Sequence, residues 1–217
     1  MRSKFDEQLN LLNRKMIEMG AECESIIARA AKALLDGNVN DARAAKEQGH
    51  RIDQLEREIE GICLKLLLRQ QPVATDLRVI SAALKMITDM ERIGDQAEDI
   101  AEIIIFLDGR TCESCQEIRL MAESTIGMVT DSIDAYVNQD LELAKAVAVR
   151  DDIVDEAFVR VKQSLIEMIS KNIADGEYAL DLLMIAKYFE RIGDHAVNIA
   201  EWVAFSVAGI HNIYKGE

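Results

Sequence analysis

Carboxylates spaced four apart on a helix stack on one face, where they repel each other or share a cation. The chain has such a row at Glu91, Asp95 and Asp99, with Glu98 and Glu102 beside it. At about 100° per residue, Asp95 lies near 40° and Asp99 near 80° from Glu91, while Glu98 and Glu102 fall within about 20° of it. Ile93, Ala97, Ile100 and Ile104 cluster on the opposite side, so an acidic stripe backs onto an apolar one. Like charges at this spacing cost a few tenths of a kcal/mol each. A multivalent cation removes that cost and takes the oxygens as ligands. The bland alternative is a solvated face neutralised locally by Arg92 and Arg191.

The same stretch occurs twice. Residues 91–102 and 190–201 are identical at nine of twelve positions, at a constant offset of 99. A period near half the chain implies two similar units. The second copy keeps Glu190, Asp194 and Glu201, with Asn198 in the place of Asp99 and His195 in the place of Gln96. His195 points away from the stripe and reads as a surface or packing residue. One helix earlier, Ile52-Asp53-Gln54-Leu55 answers Val154-Asp155-Glu156-Ala157. Asp151 and Asp155 form a further pair four apart, unless they are helix-start acids favoured by the macrodipole. The position four before Asp53 is Gly49, and His50 is displaced by about 100°. A metal between the second and third helices is therefore expected to find fewer ligands in the first half than in the second. Gly94 and Gly193 lie within helices, where each costs about 1 kcal/mol against alanine. Close helix approach explains them, or backbone access beside metal oxygens.

Six long helices must position these residues. One proline and 49% apolar residues leave few breakers. The first helix runs from about Ser3 to Asp36 with a seam at Leu9, Leu12, Met16, Met19, Cys23, Ile26 and Ala30. The second opens near Asp41, carries Ile52, Leu55, Ile59, Ile62 and Leu66, and stops before Gln71-Pro72. The third starts at Thr75 or Asp76 and runs to about Asp108-Gly109. The fourth spans Ser114 to Asn138, with Ser114 and Glu117 as a capping box and Ile118, Met121, Thr125, Val129, Ile133 and Tyr136 inward. The fifth spans Leu141 to Ile173, and the sixth follows Ala174-Asp175-Gly176 through Trp202 and Phe205, two aromatics read as core rather than docking patch. Short connections make successive helices antiparallel. The expected fold is all-α: two tandem antiparallel three-helix bundles, residues 1–109 and 114–217, joined at Gly109–Ser114.

A formal charge of −14 argues against nucleic acid and against docking on anionic lipid. It favours cations or basic partner surfaces. No apolar run spans a bilayer and the N-terminus lacks a signal-like core, so a cytoplasmic location is expected. Cys23 and Cys63 sit at apolar helix positions; Cys112 and Cys115, in a C-x-x-C, lack the further ligands that zinc needs.

The residues also carry a resemblance. The run Gln70-Gln71-Pro72-Val73-Ala74-Thr75-Asp76-Leu77-Arg78, with Leu84-Lys85 and the Glu91 stretch, resembles the PhoU family of phosphate-transport regulators. Asp151-Asp152-Ile153-Val154-Asp155, the Glu190 stretch, and Phe5 with Met19-Gly20 are similar to it as well. The resemblance covers nearly the whole chain. It implies paired helices whose carboxylates hold iron, zinc, manganese or similar ions, in some members as small clusters. Carried over, the ligands are Asp53, Glu91 and Asp95 in the first half and Asp151, Asp155, Glu190 and Asp194 in the second, with Asp99 and Asn198 as extra oxygen donors. Gly49 departs from the family's first-half pair. The resemblance further implies a cytoplasmic, often dimeric adaptor, membrane-peripheral through its partners. It would repress phosphate-starvation signalling by linking a phosphate ABC transporter ATPase to a sensor histidine kinase.

The leading reading is a metal-binding regulatory adaptor. Its rival is a carboxylate-bridged metal oxidase or hydrolase. Bundled di-iron proteins pair inward glutamates with Glu-x-x-His, and neither copy of the twelve-residue stretch contains that motif. A purely structural adaptor without metal is the third possibility.

Overall fold

The computed structural model describes residues 2–69, 73–111 and 116–210, with side chains from Phe5 to Leu68 in the first span. The six helices are α1 (Arg2–Asp36), α2 (Val39–Arg69), α3 (Ala74–Phe106), α4 (Gln116–Asn138), α5 (Leu141–Lys171) and α6 (Gly176–Ala208). A short 3₁₀ turn, Ile173–Asp175, precedes α6. No strand occurs among the described residues. Gln70–Pro72, Ser114 and the Cys112/Cys115 pair lie outside them.

Local chemistry sets the boundaries. Gly37 takes the left-handed conformation (φ +64°), and Asn38 Oδ1 then accepts from the backbone of Asn40 and Asp41. With Asn38 as cap, α2 starts two residues before the expected Asp41. Asp76 accepts from the Val73 N–H at 3.3 Å and closes the first turn of α3. Asp108 and Gly109, both at positive φ, turn the chain away after α3. Asp140 caps α5 by accepting from Glu142 and Leu143, each at 3.0 Å. Asp151 therefore lies well inside α5, where a helix-start role does not explain it.

The seams expected from spacing are buried. Leu12, Met16, Met19, Cys23, Ile26 and Ala30 line α1, and Ile52, Leu55, Ile59, Ile62 and Leu66 line α2. Burial pushes the Cys23 thiol up, and that of Cys63 up to about 12; both are core residues. Trp202 and Phe205 are half-buried and meet edge to face, with centroids 5.8 Å apart, so they edge the core rather than fill it.

α1, α2 and α3 pack together, as do α4, α5 and α6. The two triplets join along α3–α6, the most extensive helix contact in the molecule, and along α1–α4. One continuous apolar core runs through both triplets. The α3–α6 seam is antiparallel. Asp89 on α3 receives His195 Nδ1 at 2.9 Å and the Asn198 amide at 3.1 Å from α6, while Asp99 on α3 bonds Tyr188 on α6.

Candidate metal centres

Each triplet holds one acidic groove between its second and third helices. In the first half, α2 supplies Asp53 and α3 supplies Glu91 and Asp95. One carboxylate oxygen from each lies within 4.8 Å of the other two. Asp53 and Glu91 are half-buried and Asp95 is exposed. The apolar side of α3 places them: Ile93, Ala97, Ile100 and Ile104 are buried, which leaves the acidic row beside α2. Gly94 sets the spacing, since a methyl group there would stand 2.9 Å from Ile52 Cδ1. At this position glycine serves close packing.

The electrostatics of this groove are one-sided. Burial, then Asp95, Glu56 and Asp53, pushes the Glu91 carboxyl up. Burial, then Asp53 and Asp99, does the same to Asp95. Glu56, one turn beyond Asp53, is raised by burial and by Glu60, Asp53 and Asp95. Arg92 opposes this only weakly, from an exposed position. The neighbouring α1–α2 groove has the opposite character. There Lys15 lies 2.9 Å from Glu18 and 2.8 Å from Glu58, and Arg51 pairs with Glu18.

In the second half, Asp151 and Asp155 on α5 face Glu190 and Asp194 on α6. Burial, followed by Asp155, Asp194, Asp152 and Glu190, pushes Asp151 up to about 7. Its Oδ1 is buried without a hydrogen-bond partner. A methyl group at Gly193 would stand 2.8 Å from that oxygen, so the glycine leaves room for the carboxylate. Gly193 thus differs from Gly94: it borders a charged oxygen rather than a side-chain methyl. An orphaned carboxylate oxygen in a glycine-made cradle, with three more carboxylates facing it, fits a hard or borderline cation.

The two grooves differ in how closely their oxygens converge. The first half, not the second, has the convergent triad; no comparable group of three forms in the second half among the described residues. The second groove also has a cation of its own. Lys187 pairs with Glu190 and opposes the upward shifts of Asp155 and Asp194. Thr88 holds that register position in the first half.

Asp99 and Asn198 lie one turn further along and are engaged at the α3–α6 seam, Asp99 with Tyr188 and Asn198 with Asp89. Asp99 still bears electrostatically on Asp95. His195 is a seam residue, as its angle on the helix implied. Glu102 is paired with Lys46 at 3.1 Å, the solvated-face role. Sequence reasoning passed over Glu56 and Lys187. Both stood three residues from a singled-out acid, Asp53 and Glu190, a spacing that shares a helix face.

A family model described as the PhoU domain matches residues 16–104 and again 118–203. The chain is 35% identical over 210 residues to the phosphate-specific transport system accessory protein PhoU homolog of Clostridium acetobutylicum, covering 96% of each. It resembles the crystal structure of PhoU from Pseudomonas aeruginosa with a TM-score of 0.90 and 33% identity, over 95% of this chain and 100% of that one. A PhoU structure from Streptococcus pneumoniae, 23% identical, shares the fold with a TM-score of 0.86, over 96% of this chain and 99% of that one.

Proposed function

The chain belongs to the PhoU family, and we propose that it is a metal-holding accessory protein of phosphate uptake that represses phosphate-starvation signalling. It does so by linking a phosphate ABC transporter ATPase to a sensor histidine kinase. The relatives' names support the transport part of this reading. In the same reading it acts in the cytoplasm as a homodimer and reaches the membrane through its partners. No helix among the described residues is long and apolar enough to cross a membrane.

One observation carries the metal part: in the first half, carboxylates from two helices converge where, among the described residues, no lysine or arginine makes an ion pair with them, although ion pairs crowd the next groove. Asp53, Glu91 and Asp95 would hold one site, and Asp151, Asp155, Glu190 and Asp194 the other. A bound iron, manganese or zinc ion supplies the positive charge that the oxygens lack. Each set of oxygens spans two helices. Whatever sets their repulsion therefore also sets how closely α2 lies on α3 and α5 on α6. The outer faces of those pairs are the surfaces the partners read. The reading is of an adaptor rather than a catalyst, since His195, the histidine of the second repeat, is committed to Asp89.

The test is elemental analysis of protein purified without chelator, beside a reporter of phosphate-starvation genes. At least one metal per chain is expected, with derepression in both Glu91→Ala/Asp95→Ala and Glu190→Ala/Asp194→Ala. Full repression by metal-free variants would remove the proposal.

A further inference from the structure

We infer that the open side of the α3–α6 seam is a docking strip for an acidic amphipathic helix of a partner protein. The inference goes beyond the adaptor reading and stands whether or not the grooves hold metal. Arg78, Lys85 and Arg92 recur every seven residues along α3, which puts them on one face of that helix. The face is the one beside α6. A methyl group on Gly209, at the C-terminus of α6, would stand 3.5 Å from Arg78 Nη1, and Lys85 Nζ lies 6.0 Å from the Trp202 ring centre. Asp89, on the same face, is held by His195 and Asn198. Arg191, the counterpart of Arg92, adds a guanidinium from α6. On their other sides α3 packs on α1 and α6 on α4, while Lys85, Arg92 and Arg191 are exposed.

The fold does not consume this charge. Among the described residues none of the four cations makes an ion pair, and Arg78 Nε is buried without a hydrogen-bond partner. A half-buried guanidinium without a counter-charge carries a cost that an incoming carboxylate removes. The repeat supplies its own comparison. At the other end of the same face Arg78 is answered by Glu177, Lys85 by Met184 and Ser81 by Leu180, so the scaffold does not require cations at these positions. Arg78 to Arg92 spans about 21 Å along the helix, the length of two heptads. A helix with carboxylates every seven residues meets all three cations, and its apolar side chains lie beside Trp202 and Phe205. Width selects the occupant. Glu91 and Asp95 flank the strip on one side, Glu190 and Asp194 on the other, and they repel a nucleic acid or an anionic membrane laid across them. A single helix, about 10 Å wide, fits between.

Trp202 is the single tryptophan of the chain, so its emission reads occupancy of the strip. The probe is a capped three-heptad helical peptide with Glu at one position of each heptad and Leu between, titrated into the full chain. A saturable shift of Trp202 emission is expected, weakening as salt rises. Lys85→Glu is expected to weaken binding roughly tenfold, read by calorimetry, with the melting temperature unchanged because Lys85 is exposed. A peptide with Lys in place of its central Glu is expected to bind Lys85→Glu better than it binds the unmodified protein, a reversal that local distortion would not produce. Leu180→Ser, at the other end of the face, is expected to leave binding unchanged, and a loss equal to that of Lys85→Glu would overturn the placement. The inference also falls if the Glu peptide does not bind, if an all-Lys peptide binds as tightly, or if Lys85→Glu binds the Glu peptide like the unmodified protein. Tighter binding of single-stranded RNA or of phosphatidylserine vesicles than of the Glu peptide would overturn it too, by assigning the strip to another class of polyanion.

Discussion

The two halves share a motif and differ in how they handle its charge. The first half brings Asp53, Glu91 and Asp95 together with Glu56 alongside, and among the described residues no lysine or arginine makes an ion pair with them. The second half buries one acid more deeply, Asp151, and sets Lys187 against Glu190. A carboxylate cluster can be relieved by an external cation or by a built-in one. The second groove already has part of the latter in Lys187, and the first has no such pair among the described residues. If the grooves hold metal as proposed, the first site is expected to be the tighter one, although its α2 helix carries fewer acids.

The largest expected effect tests that ranking. Removing outer-shell partners of a metal typically weakens binding 10- to 100-fold, so loss of two ligands should exceed roughly 100-fold. Glu91→Gln/Asp95→Asn is expected to abolish the stronger of two manganese isotherms, and Asp155→Asn/Asp194→Asn the weaker. Equal losses would break the comparison.

A smaller effect concerns pH. Folded Asp151 keeps its proton up to about pH 7, whereas the unfolded carboxyl releases it near 3.8. Between those values the native state binds more protons than the unfolded chain, so metal-free stability falls as pH rises from 4 to 7. Apo protein is expected to melt roughly 5 °C higher at pH 5 than at pH 8, after allowance for solvent screening. Asp151→Asn should flatten that dependence more than Glu91→Gln does. Scanning calorimetry of both variants reads it, and identical slopes would contradict the placement of the buried acid.

Smaller still is the effect of the internal cation. Lys187→Thr copies the first half and is expected to tighten manganese binding at the second site by about fivefold, the scale of one partly exposed charge. Unchanged affinity would mean that Lys187 is too solvated to compete. The smallest effect separates the two glycines. Gly94→Ala crowds Ile52, which costs about 1–3 kcal/mol and is partly offset by about 1 kcal/mol of helix propensity. Gly193→Ala instead meets Asp151 Oδ1 and is expected to weaken second-site metal binding. Denaturant melts and metal titrations of the pair distinguish packing from site geometry.

Most of the architecture was legible because the three-and-four spacing of Leu12 to Ala30 and of Ile52 to Leu66 specifies which face of each rod is buried. The twinned stretch located both grooves for the same reason. A helical wheel gives an angle but does not say which neighbouring helix occupies each sector. Asp99 and Asn198, near 80° from the first acid of their stripe, face the sector where α3 meets α6, and seam bonds take them up. That Glu98 fills the space beside Gly49 is invisible until the two helices are set side by side. The pairing of Lys187 with Glu190 was available from their three-residue separation alone.

The seam between α3 and α6 has one more implication. Asp89 meets Asn198, and the counterparts of those positions, Tyr188 and Asp99, meet each other in turn. This reciprocity is the signature of a two-fold isologous interface, the kind that joins identical subunits. The chain has enclosed within one polypeptide a contact that a single repeat would otherwise make with its twin. A homodimer, if one forms, would have to use a different surface, and the seam residues are not where a dimer-breaking substitution belongs.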